Sequence, residues 1–272
     1  MLAMMPSPVS KMIVTVLGSG TSQGVPMIGC KCPVCRSDDP RDKRTRSSIY
    51  VEAPTAKILV DTTPDMRQQA LREGLDHLDA VVMTHPHADH IMGFDDLRRF
   101  CDMQGGPLPL YGSASTLEQI ERIFHYAFNP KKLVPGYVHV IPHVVESTFQ
   151  LGGIDLTPLP VPHGAVKTSG FLFAHRGRRL LAYLSDCAQV PPAIRELIAG
   201  VEVLIIDGLR DAPHPTHLTI TGAIEAAQAV SAKRSFITHL THERFHVERL
   251  QQVQPHGMDV AYDGMKLEFE LP

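Results

Sequence analysis

Three observations predict an α/β fold of the α+β kind. Short apolar, β-branched runs alternate with helical segments along the whole chain. Five such runs, "VVMTH", "LPVPH", "AYLSD", "LIIDG" and "FITH", each end in His or Asp. The 272 residues are 43% hydrophobic and 20% charged, enough apolar content to bury a sizeable core. No tandem repeat and no low-complexity linker interrupts the chain, so residues 1–272 are read as one domain.

The elements follow in order. "MIVTVLGSG" is a β-branched run ending in glycines, a strand feeding a loop. A loop holding "IGCKCPVC" and the charged stretch "DDPRDKRTRSS" comes next. "SIYVEA" and "KILVDTT" read as a hairpin. Thr63 is expected to cap a helix with Pro64 at its first position, "PDMRQQALREG", stopped by Gly74. "LDAVVMTH" is a buried-type strand, with a helix starting near Asp89. The later part repeats the grammar: "IDLTPLPVPH", "SGFLFAH" and "RRLLAYLSD" are strands, and "PPAIRELIAG" is a helix. "VEVLIIDG" is a buried strand, "TITGAIEAAQAVSA" an amphipathic helix and "RSFITHL" a further strand.

Composition narrows the function classes. A net charge of −3, from 26 basic and 29 acidic residues, gives no overall field toward nucleic acid or an anionic membrane. Five cysteines, three of them adjacent, fit a reducing compartment with a metal better than a disulfide framework. The N-terminus "MLAMMPSPVSKMIVTVLGSG" lacks the apolar core of a signal peptide, and no run is long enough to span a membrane. A soluble, cytoplasmic protein is expected.

Fifteen histidines are an excess that directs attention to metal or acid–base chemistry. "THPHADH" supplies His85, His87, Asp89 and His90 directly after an apolar strand. On extended backbone His85 and His87 point the same way and can share one ion. A helix starting at Asp89 turns His90 toward a second one. Ligands gather at the carboxyl ends of strands in open sheets, so strands ending in His or Asp imply one convergent site.

These residues resemble the metallo-β-lactamase superfamily of binuclear metallohydrolases: "HxHxDH", a later isolated His, the Asp of "YLSD" and a final strand-terminal His. The resemblance runs from "VTVLGSGTSQGVP" to "YDGMKLEF". "QGVPMIGCKCPVC", "LSD", "THLTI" and "THLTHERF" look closest to the phosphoribosyl 1,2-cyclic phosphate phosphodiesterase family. It implies a four-layer αββα sandwich with two mixed sheets and a zinc knuckle near the N-terminus, within residues 28–46. His85, His87 and His163 would hold one divalent ion, Asp89, His90 and His239 the other, and Asp186 would bridge them. The N and O donors suit Zn²⁺, Mn²⁺ or Fe²⁺. A metal-bridging hydroxide would attack phosphorus in line. Asp89 and His217 are the expected catalytic residues, with His217 contacting phosphate and protonating the leaving oxygen. His214 is a weaker competitor for that role. Asp61 and Asp207 also end strands and are candidates to orient imidazole N–H groups.

Cys30, Cys32 and Cys35 lie within six residues, yet a closed zinc site wants four ligands. The family pattern assigns the fourth to His242, three residues beyond His239. Cys101 and Cys187 are read as buried residues. Arg44 or Arg46 of "RDKRTRSS" could contact substrate phosphate, although a solvated loop reads equally well. His77, His125, His139, His143, His175, His246 and His256 show no ligand spacing.

The leading reading is therefore a binuclear phosphodiesterase with two catalytic divalent ions and one structural Zn²⁺. Its expected partner is a small-molecule phosphodiester or nucleotide, with no membrane, nucleic acid less favoured, and a homodimer compatible. One alternative is a nuclease resembling the tRNA 3′-processing endonuclease, although its basic, Gly-rich arm is not found. Another is a non-hydrolytic carrier resembling the quinone-cofactor biogenesis protein, whose relatives depart from the complete "HxHxDH" set.

Overall fold

The computed structural model describes residues 10–128 and 136–271. Part of the N-terminal stretch read for a signal peptide, residues 1–9, lies outside the described residues.

Strand β1 (Ser10–Gly18) runs into the cysteine loop and its single helical turn α1 (Pro33–Arg36). The hairpin β2 (Ser48–Ala53) and β3 (Ala56–Val60), α2 (Met66–Glu73), β4 (Ala80–Val82) and α3 (Ala88–Ile91) come next. They lead to α4 (Arg98–Gln104), β5 (Leu108–Gly112), α5 (Ala114–Ile123) and β6 (Val140–Val144). The second half begins with the meander β7 (Phe149–Leu151), β8 (Ile154–His163), β9 (Val166–His175) and β10 (Arg178–Leu184). Then come α6 (Pro192–Ile198), β11 (Val203–Asp207), α7 (Ile220–Val230) and β12 (Arg234–Thr238). The chain closes with α8 (His246–Val253), β13 (Met258–Val260) and β14 (Lys266–Leu271).

Among the described residues these strands make two seven-stranded sheets, ordered β14-β1-β2-β3-β4-β5-β6 and β13-β12-β11-β10-β9-β8-β7. Both are mixed. The first is antiparallel from β14 to β3 and parallel from β3 to β6. The second is parallel from β10 to β13 and antiparallel from β10 back to β7. The last strand returns to pair with the first, Ser10 opposite Leu271, its outward Lys266, Glu268 and Glu270 alternating with buried Leu267, Phe269 and Leu271.

Three apolar layers hold the sheets and helices together. Met12, Phe171, Phe173 and Tyr183 pack between the sheets. Ile91, Phe94 and Leu117 fill the gap between the first sheet and its helices, and Ile198, Ile220 and Val230 do so on the second. Each such fully buried side chain contributes roughly 1.5–3 kcal/mol. The four layers match the expected αββα sandwich.

One boundary departs from expectation. Helix α2 begins at Met66, not at Pro64, and Asp65 caps it without a side-chain bond. Thr63 instead accepts from the Asp65 N–H at 3.1 Å and donates to Gln69, forming a turn before the helix. Gly74 ends the helix in the left-handed conformation, as read.

Candidate metal centres

The parallel halves of the sheets point their carboxyl ends at one place. From the first sheet, β3 delivers Asp61, and the loop after β4 delivers His85, His87, Asp89 and His90. From the second, β10, β11 and β12 deliver Asp186, Asp207 and His239. His163 arrives differently, at the tip of the β8–β9 hairpin. There it pairs with Val166 across a two-residue turn that Gly164 enters at φ +62°.

The side chains form two abutting groups. His87 Nδ1 lies 3.0 Å from His85 Nε2 and 3.1 Å from His163 Nε2. His90 Nε2 lies 3.3 Å from Asp89 Oδ2 and 3.2 Å from Asp186 Oδ1. The other Asp186 oxygen is 3.4 Å from His239 Nε2 and 3.9 Å from His163 Nε2. Asp186 thus stands between the two groups, facing both.

The far nitrogens of the rings decide which atoms face inward. The Thr84 hydroxyl donates to Asp61 Oδ2 at 2.7 Å, so at 3.0 Å it accepts from His85 Nδ1–H. His90 Nδ1–H donates to the same Asp61 oxygen at 2.7 Å. Ser47 donates to the Gly20 carbonyl and so accepts from His239 Nδ1–H at 3.2 Å. His163 Nδ1–H donates to the Thr216 carbonyl at 2.8 Å. Each of these four rings is left with a lone pair on Nε2, aimed into the centre. Burial also lowers the proton affinity of His85, His87 and His163. At His90 burial acts the same way, but the Asp186, Asp89 and Asp61 carboxylates outweigh it and raise the affinity.

This donor set fits cations. His90 Nε2 and Asp186 Oδ1 are buried with no hydrogen-bond partner. Lone pairs facing carboxylates and each other at about 3 Å repel unless a positive charge lies between them. His85, His87 and His163 meet the spacing for one ion, and so do Asp89, Asp186 and His239. Backbone strain marks the same place: Asp61 and His239 take left-handed conformations at φ 65° and 61°, which cost non-glycine residues on the order of 1–3 kcal/mol.

His217 sits beside this centre, its ring centroid 4.7 Å from that of His163 and 4.9 Å from that of His239. Its Nδ1–H donates to Asp207 Oδ2 at 2.7 Å, which leaves Nε2 for the centre. Asp207 is itself held by the Cys187 N–H at 2.9 Å. Burial lowers the proton affinity of His217, opposed by the Asp186 and Asp89 carboxylates. His214 accepts from the Thr216 N–H through Nδ1, and its ring centroid lies 5.0 Å from that of His217.

The cysteines gather with His242 as expected. Cys32 and Cys30 sulfurs lie 3.3 and 3.5 Å from His242 Nδ1, and Cys35 completes a four-donor group. Backbone N–H groups of Met27 and Cys35 point at Cys35 and Cys32 sulfurs. The hydrogen bond from His242 pulls the Cys32 thiol down to about 6, while burial pushes Cys35 up to about 11. Cys101 and Cys187 are buried elsewhere.

Arg44 and Arg46, the two arginines read as able to meet substrate phosphate, both have partners within the fold. Arg44 is buried, donating to Ser19 Oγ, the Ala261 carbonyl and His246 Nδ1. Arg46 is paired with Asp65 at 2.9 Å. The hydroxyls of Thr84 and Ser47 and the Thr216 carbonyl, which set the ring tautomers, had escaped the sequence reading. The only hint lay in their places, beside "HPH", in "RSSIY" and next to His217.

Comparisons with known proteins agree with this fold. Residues 56–240 match the family described as beta-lactamase superfamily domain. A protein of Porphyromonas gingivalis named octanoyltransferase is 38% identical over 256 residues, 92% of this chain and 50% of its own length. The chain therefore spans about half of that relative. Coenzyme PQQ synthesis protein B of Methylobacterium radiotolerans is 32% identical over 311 residues, 94% of this chain and 99% of that one. The crystal structure of a diphosphatase from the PhnP family has a TM-score of 0.86 at 42% identity, covering 96% of this chain and 98% of its own.

Proposed function

The chain belongs to the β-lactamase superfamily, a metal-binding hydrolase fold, and we propose that this protein is a binuclear phosphodiesterase. Its substrate is a small phosphodiester, such as a ribose 1,2-cyclic phosphate or a nucleotide. The observation that carries the reading is the place of Asp186, one oxygen toward His90 and the other toward His239 and His163. A carboxylate so placed suits two ions. The similarity to a PhnP-family diphosphatase at 42% identity supports phosphorus as the reacting centre.

His85, His87 and His163 would hold one ion, Asp89, His90 and His239 the other, with Asp186 facing both. Bound there, two such ions would acidify water and neutralise charge on the phosphoryl oxygens. The protein's own groups do the rest. Asp61 and Ser47 fix the His90 and His239 rings, so no reorganisation is needed as charge develops. His217 rests neutral, held by Asp207 through Nδ1. Its Nε2 takes the proton that the attacking water releases and passes it to the leaving oxygen, while Asp207 holds the ring through Nδ1–H. Cys30, Cys32, Cys35 and His242 hold a structural Zn²⁺ that ties the N-terminal loop to the end of β12.

The similarity to coenzyme PQQ synthesis protein B over nearly the full chain favours a second reading, a non-hydrolytic carrier. Hydrolysis of bis(p-nitrophenyl) phosphate, with Mn²⁺ or Zn²⁺ restored, separates the two. Turnover is expected; none in protein shown to hold both ions would sink the phosphodiesterase reading and favour the carrier. Cleavage restricted to pre-tRNA would point to the nuclease.

A further inference from the structure

Beside His163 the two sheets part, and the gap is a groove of about 600 Å³. Its floor follows from strand alternation. On β8, Ile154 and Leu156 face the core between the sheets, whereas Leu159 and Val161 face the helices outside. Pro158, Pro160 and Pro162 continue the inward row of Ile154 and Leu156. On β9 the inward row of Phe173 and Phe171 continues into Ser169 and Lys167. Where the core ends, these two rows line the groove. The opposite wall is Val145 and Glu146, just past β6, with Val145 tied to the Gly112 carbonyl at 3.0 Å.

Three prolines on alternate positions of one strand are unusual, because proline cannot donate to a ladder. They are tolerated here because β7 pairs β8 only from Ile154 to Leu156, so the outer edge beyond needs no N–H. The result is a rigid floor of rings, with polar groups confined to its margins.

We propose that this groove holds the base of a nucleotide whose phosphodiester lies at the metal centre; the proposal rests on the phosphodiesterase reading and names its substrate class. The volume lies within the range of pockets that enclose drug-sized ligands, larger than a phosphate needs. A nucleobase has flat, weakly polar faces and a rim of donors and acceptors. The groove has the same division: proline rings beneath, and Ser169, Lys167 and Glu146 around. A hydrocarbon chain would leave those polar groups without partners. His163, whose ring belongs to the metal group, is among the residues that line the groove, so an occupant there lies beside that group.

The test compares 2′,3′-cyclic AMP with ribose 2′,3′-cyclic phosphate, which lacks the base, using metal-replete protein. Wild type is expected to prefer the nucleotide by roughly tenfold or more in kcat/KM, the ratio that about 1.4 kcal/mol of base contact supplies. Val145→Trp, which fills the groove, and Pro160→Glu, which charges its floor, should each bring that ratio close to one. Both should keep the metal content and melting temperature of wild type, which reports correct folding. Equal rates on the two cyclic phosphates in wild type, or an unchanged preference in both variants, would overturn the proposal. Calorimetric binding of AMP against ribose 5-phosphate and octanoate keeps the two readings apart. AMP bound tenfold tighter than ribose 5-phosphate, in protein that hydrolyses no diester, would retain the base groove and remove the phosphodiesterase. Octanoate bound in preference to AMP would assign the groove to an acyl chain and overturn it.

Discussion

Among the described residues lie two metal-type clusters, three residues apart at His239 and His242, and they are built in opposite ways. The sulfur cluster takes three of its four donors from six consecutive residues in a loop, backed by a small apolar group of Val25, Val34 and Cys35. The imidazole–carboxylate cluster takes its donors from both sheets and buries His85, His90, Asp186 and His239 almost completely. Its rings are fixed by Thr84, Asp61, Ser47 and a backbone carbonyl. The difference separates two tasks. A loop with so little core is one that an ion would brace. A site held rigid at the ends of packed strands is one that would position an ion for chemistry.

Five substitutions can break or sharpen that contrast. Asp186→Ala removes the carboxylate shared by both groups. Turnover of bis(p-nitrophenyl) phosphate should fall on the order of 10³-fold or more, and metal analysis should show loss of at least one catalytic ion while the structural zinc stays. Activity within tenfold of wild type would deny the bridging role. His217→Ala should keep all the ions and lose roughly 10²–10⁴-fold in kcat. Asp207→Asn should act in the same direction through the ring it orients, more weakly. Full activity in His217→Ala would remove that histidine from proton transfer.

Cys32→Ser addresses the other cluster. It should release one zinc and lower stability by roughly 3 kcal/mol, about 6–12 °C in Tm for a chain of this size. Activity should fall only as far as the loop loosens. An unchanged melting curve would show that the sulfur cluster braces nothing.

The smallest effect concerns the link between the knuckle loop and α8. His246 accepts from Arg44 through Nδ1, and its backbone N–H donates to Asp42 at 2.6 Å. Burial, then the charges of Arg44 and Arg41, lower its pKa to about 4. The folded state therefore binds this proton more weakly than the unfolded chain, whose histidine titrates near 6.5. This contribution is fully present above pH ~6.5 and drains away as pH falls toward 4, by about 2–3 kcal/mol. Denaturant melts across that window should show the loss, and His246→Asn should flatten it. An equal slope in the variant would place the acid sensitivity elsewhere.

Much of this was readable in advance because the signals are local. "THPHADH" after an apolar run, and three cysteines in six residues, announce donors by spacing alone. The strand ends "YLSD", "LIIDG" and "FITH" showed that distant donors share one kind of position. Less visible were β5, β6, β13 and β14, whose short runs are paired by neighbours far along the chain. Arg44 was misjudged for a related reason. A charged run reads as solvated, yet its folded neighbours Ser19, Ala261 and His246 satisfy the guanidinium in the interior.

The amino-acid order by itself determined the α/β class, the donor types and most strand ends, because periodicity and ligand spacing act over a few residues. Tertiary structure alone decided which ring nitrogen faces inward, where Asp186 stands between the groups, and how the parting sheets leave a proline-floored groove. Those depend on contacts between residues tens to hundreds of positions apart, and such contacts exist only once both sheets have packed.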